Sequence, residues 1–138
     1  MIEVARGLLW IYEKLANDAT LAGLVDDRIY DGIAPEGAAF PYVIYNFQAG
    51  ADTVVVGAAR VLNSGLYLVK AVAETQSYSG PAEIADRIDD LLQAASGAAD
   101  DGLILGANRE QPIMYVEAVD TIQFRHVGGL YRIITQEL

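Results

Sequence analysis

At 138 residues, with 53% of them apolar and 20% charged, the chain is long enough to bury a core and too hydrophobic to be disordered. Its 19 acidic and 9 basic residues give a formal charge of −10, which argues against tight binding to phosphate backbones, where affinity comes from Lys and Arg. Cysteine is absent, which excludes disulfide frameworks, thiolate zinc sites and cysteine nucleophiles.

From Ile2 to Ala16 the residues Ala5, Leu8, Leu9, Tyr12, Leu15 and Ala16 fall at steps of three and four, with Arg6, Glu13 and Lys14 turned away. This spacing predicts a first amphipathic helix. Asn17-Asp18 breaks it, and Asp18 is placed to cap a short turn through Leu21, Leu24 and Val25. The stretch Leu21 to Phe47 then leads through Asp26-Asp27, a short strand at Arg28 to Asp31 and a Gly/Pro loop. Pro41 opens a longer strand, Tyr42 to Gln48, whose alternate residues Tyr42, Ile44, Asn46 and Val43, Tyr45, Phe47 face opposite sides.

Small residues at Ala49-Gly50-Ala51-Asp52 introduce Thr53-Val54-Val55-Val56-Gly57, which reads either as a short strand or as an apolar loop. Leu62 to Glu74 is the strongest strand, and both its faces are largely apolar, so it is expected at the centre of a sheet. Ser79-Gly80-Pro81 starts a second amphipathic helix running to about Ala95. Its stripe is Ile84, Ala85, Ile88, Leu91, Leu92 and Ala95, opposite Asp86, Arg87, Asp89 and Asp90, with Gly97 as its stop. Ser96 to Gly102 reads as a flexible acidic loop. Strands are expected at Leu103 to Leu105, Ile113 to Val119 and Leu130 to Gln136, with Gln111-Pro112 and Gly128-Gly129 as breaks.

The order implies one domain over residues 1–138 of the α+β class: two amphipathic helices packed on a mostly antiparallel sheet of about four or five strands. No run of about eighteen apolar residues is present, and Met1-Ile2-Glu3 lacks the basic start of a leader, so folding in the cytosol and no membrane association are expected. The apolar surplus over one small core predicts self-association.

Chemical candidates are few. His126 is the only histidine and reads as a surface or strand-edge residue, so it cannot build a triad or a metal cluster alone. Asp86, Asp89 and Asp90 occupy a solvated helix face, while Asp26-Asp27 and Asp100-Asp101 suit caps and turns. Neither a nucleophile elbow nor a phosphate loop with its Lys is present. No catalytic residue, metal ligand or cofactor is therefore expected. The tyrosines Tyr30, Tyr42, Tyr45, Tyr67, Tyr78, Tyr115 and Tyr131 read as core and interface anchors. Consecutive valines cannot all face a core, so Asp52, Val54, Val55, Val56 and Arg60 are candidate protein-interface residues, an ordinary edge strand being the plainer alternative.

Taken together, Leu21-Ala22-Gly23-Leu24-Val25, Asp27-Arg28-Ile29-Tyr30-Asp31, Pro41-Tyr42-Val43 and Ile84-Ala85-Asp86-Arg87-Ile88 resemble the tail-terminator (tail-completion) family of long-tailed bacteriophages. The resemblance implies a structural virion protein of the tail or neck, made in the host cytoplasm and without enzymatic activity. It implies a ring, usually hexameric, on the head-proximal end of the tail tube, which stops tube growth and offers a surface for head joining. Its partners would be itself, the major tail tube protein and a head completion or connector protein, with DNA passing through the lumen without specific binding. Another neck component, such as a head-tail adaptor or head-closure protein, shares this size and core. A small cytosolic binding domain with no viral role is the other alternative.

Overall fold

The computed structural model describes residues 1–54, 60–99 and 102–137. Helices α1 (Ile2–Ala16) and α2 (Ala19–Val25) precede strands β1 (Ile29–Asp31), β2 (Tyr42–Val54) and β3 (Arg60–Glu74). Helix α3 (Ser79–Leu92) is followed by β4 (Gly97–Ala99), β5 (Gly102–Val119) and β6 (Ile122–Glu137). All the strands belong to one six-stranded sheet in the order β1-β2-β3-β6-β5-β4, curled into a half-barrel. Pairing is antiparallel except between β1 and β2, which are parallel.

The expectation of two helices on four or five strands is therefore corrected to three helices on a six-stranded mixed sheet. The expected short turn is a seven-residue helix, α2, because the Asp18 carboxylate accepts from the Leu21 N–H at 2.8 Å and satisfies its free start. Part of the expected acidic loop is β4, whose Gly97 pairs with Ile104; Asp100 and Asp101 lie outside the described residues. The expected breaks at Pro112 and Gly128-Gly129 are strand interiors. Pro112 follows a register shift between Arg109 and Gln111 and sits on a strand with an open outer edge, where its missing N–H is tolerated. Gly128 is a close approach instead of a turn: a Cβ there would overlap the Val69 carbonyl oxygen and lie 2.5 Å from Lys70 Cα.

Beneath the helices lies one core. β3 is central, as expected, and contributes Tyr67, Val69 and Ala71, all fully buried, against Ile11, Leu21, Ile88, Leu92 and Ile133. Helix α3 buries Ile84, Ala85, Ile88 and Leu92 as its spacing predicts, but it ends at Leu92, where Ala94 turns back at φ 60°. Helix α1 is rotated from its expected setting. It buries Glu3, Arg6, Gly7, Trp10, Ile11 and Leu15, whereas Leu9 and Tyr12 face outward. Nearly every face of this helix carries apolar residues, and packing chooses the one with Trp10 and with Gly7, whose missing side chain makes room for the Tyr67 ring.

Candidate assembly surfaces

Two hairpins project beyond the helix-covered part of the sheet, in opposite directions. β2 and β3 form the first. β1 borders β2 only through Val43–Tyr45, and from Gln48 to Val54 every residue of β2 is exposed. Asn63 donates to the Asp52 carboxylate at 3.0 Å across this hairpin, and Val54, 58% exposed, pairs through its backbone with Arg60. Val55 and Val56 lie outside the described residues, so of the expected interface set Asp52, Val54 and the Arg60 backbone come together here.

β5 and β6 form the second hairpin, turning at Asp120-Thr121 with Asp120 at φ 55°. Met114, Tyr115, Val116, Val119 and Ile122 are exposed along it; Tyr115 is among the expected anchors, and the other four are the apolar surface that sequence reasoning missed. An alternating strand looks the same whether its second face meets a core or a partner. The one available signal was Pro112, which marks an edge.

At the root of this hairpin Tyr115 stacks on His126, with centroids 4.3 Å apart, while Lys70 Nζ donates to the Tyr115 hydroxyl at 2.8 Å. His126 Nε2 lies 3.1 Å from the Glu117 carboxylate. The histidine is buried, not at the surface as expected, because β6 lies between β3 and β5. Burial pushes its pKa below the ordinary value, which outweighs the opposing effect of the Glu117 carboxylate that accepts its hydrogen bond. A lowered histidine pKa makes the unfolded chain take up protons first, so the stability contributed here is present above about pH 6.5 and falls as the pH drops. Thermal melts between pH 7.5 and 5.5 should show the native chain losing more stability than His126→Phe, and equal slopes would refute this.

Three of the acidic residues make structural contacts. Arg87 donates twice to Asp18, at 2.6 and 2.9 Å, tying α3 to the cap of α2 and holding the Asp18 carboxyl below the usual carboxylate range. Asp89 accepts from the buried Tyr131 hydroxyl at 2.8 Å, so the face read as solvated is partly a docking rim. Asp26 pairs with Arg28 at 3.0 Å. Among the described residues, no three His, Asp or Glu side chains form a metal-binding group, and no helix is long and apolar enough to cross a membrane. An open cleft of about 410 Å³ lies between Trp10, Glu13, Lys14, Asp18, Ser96 and Gly97, and its Asp18 is engaged by Arg87.

The model of the tail completion protein gp17 family matches residues 10–120. The chain belongs to this family. Membership makes it a structural tail-completion component of a phage-type virion, in agreement with the resemblance in its sequence. The matched span takes in the exposed part of β2 and the whole of β5. In fold, the chain is similar to a chain from the virion of a native gene transfer agent particle, with a TM-score of 0.78 at 19% identity over 99% of both chains. A second solved chain matches with a TM-score of 0.58 at 14% identity, covering 100% of this chain and 96% of that one. No curated protein sequence matches.

Proposed function

We propose that this tail-completion protein assembles as a ring, of six copies as the family resemblance implies, on the head-proximal end of the tail tube. There it stops tube polymerisation and presents the surface to which a head completion or connector protein binds. The observation that carries the reading is the family match, which spans the β2–β3 hairpin and the β5 strand of the second arm. Exposed apolar residues on each of two opposed arms suit a protein that meets copies of itself as well as other tail proteins. The formal charge of −10 suits a lumen through which DNA slides without adhering. The segment from Asp52 to Arg60, with Val54, Val55 and Val56, contacts a neighbouring subunit or tail protein.

Imaging particles made without this chain tests the role. Unjoined tails of uncontrolled length are expected, and heads carrying tails of normal length would overturn it. In the same assay Val54→Asp should block ring assembly and tail joining while leaving the melting temperature unchanged, because Val54 touches no core residue; normal assembly would remove the segment from the interface.

A further inference from the structure

Both arms end in bare strand edges, and the sheet presents these edges in a matched way. Among the described residues no strand pairs with the outer edge of β2 from Asn46 to Val54, since its pairing with β1 ends at Tyr45. Among the described residues no strand pairs with the outer edge of β5 from Glu110 to Val119. Above that, β4 covers Gly102–Ile104, and the end of α3 bonds Ala107 and Arg109. Neither segment contains lysine, the commonest guard of a long edge, although Pro112 and Glu117 on β5, Asp52 on β2 and the register shifts in both strands are guards of other kinds.

We propose that the free edge of β5 in one copy pairs antiparallel with the free edge of β2 in the next, so that the ring is closed by a continuous sheet. The proposal rests on the ring reading above and specifies the contact that closes it. Direction favours it. β2, β3, β6 and β5 are successively antiparallel, so β5 runs opposite to β2 and lies on the other side of the sheet. A copy rotated about an axis along the strands therefore brings β5 against β2 in antiparallel sense, which is a head-to-tail contact.

Position favours it as well. Measured along β3, the middle of the β2 edge falls at Gly65, opposite Gly50, and the middle of the β5 edge at Val72, through His126 and Tyr115. Neighbouring copies must slip along the strands to align them. Side chains alternate, so only an even slip keeps the two faces continuous, and six or eight residues fit. A six-residue slip is about 20 Å, against about 19 Å for the width of four strands. Together these incline the strands at about 45°, within the range of barrels. β1 and β4 then act as end stops that set the length of the pairing.

The chain's lack of cysteine makes the test clean. Ile113→Cys combined with Ala51→Cys reports the six-residue slip, and Ile113→Cys combined with Thr53→Cys the eight-residue slip. Tails purified with each double variant are treated with an oxidant or a short bis-maleimide and run on denaturing gels. A ladder of covalent oligomers from one double variant, absent from every single variant, is the expected result. Rings visible by electron microscopy without a ladder would overturn the edge pairing and leave the ring reading standing. Covalent dimers from Ile113→Cys alone would overturn it in favour of a symmetric β5–β5 contact, and cross-links to the tube protein in favour of that partner. Tails completed without rings would overturn both readings.

Discussion

Gly128→Ala is expected to destabilise the chain by about 3 kcal/mol, the cost of forcing a methyl group into packed backbone. A glycine in a strand interior is ordinarily a weakness, and replacing it with alanine at a compatible position stabilises by about 0.4–1 kcal/mol. The sign is reversed here because the new Cβ would meet the Val69 carbonyl oxygen and Lys70 Cα, which are backbone atoms of the central strand and cannot swing aside. For a chain of this length the melting temperature should fall by about 10 °C. Urea denaturation followed by circular dichroism measures the change, and a neutral or stabilising result would mean that the sheet does not need the close approach. Gly106 is the internal control: nothing lies within 4 Å of a Cβ built there, so Gly106→Ala should leave stability nearly unchanged.

Tyr67→Ala should cost about 4 kcal/mol, as expected for emptying the site of a large fully buried ring. Tyr67 lies at the centre of the core, edge-on to Phe47 at 5.4 Å, with its hydroxyl 3.4 Å from the Val4 carbonyl. Both Gly7 of α1 and Gly65 of β3 leave space for it. Gly7→Ala alone should therefore cost about 2 kcal/mol, because its methyl would run into the Tyr67 hydroxyl. In the Tyr67→Ala background that penalty should vanish, since the obstructing ring is gone and the methyl fills part of the cavity. A double-mutant cycle measures the coupling, and additive effects would show that Gly7 serves some other purpose. Burial also pushes the Tyr67 phenol up to about 12. The unfolded chain ionises first, so this contribution is complete below about pH 10 and is lost as the pH rises toward 12.

Much of this architecture is legible in the sequence, and the misses share a cause. The alternation of Tyr67, Val69 and Ala71 and the stripe of α3 describe their own burial, because each has one clearly apolar face toward the core. Asp18 announces its cap for a local reason, the geometry of a carboxylate before a free helix start. Helix α1 defeats periodicity because it is apolar on two sides, and only the shape of its neighbour Tyr67 decides between them. Gly128-Gly129 and Pro112 defeat it because the residues that break an isolated strand are also those that let a sheet bend or end. His126 is read too far outward, since a polar ring stacked on Tyr115 and bonded to Glu117 is stable inside a hairpin. The exposed face of the β5–β6 arm was unreadable because its residues resemble a core.

The tight pairing of β6 against β3 at Gly128 also has a consequence at the scale of the assembly. A chain that offers one strand edge on each side can add copies indefinitely, and what separates a closed ring from an endless filament is the angle turned per copy. In an edge-joined ring that angle is the curl of the sheet between β2 and β5, and small residues where the backbones crowd together help to set it. The number of subunits would then be governed from within each copy, by backbone curvature, so a single methyl group far from any contact between copies could change the stoichiometry.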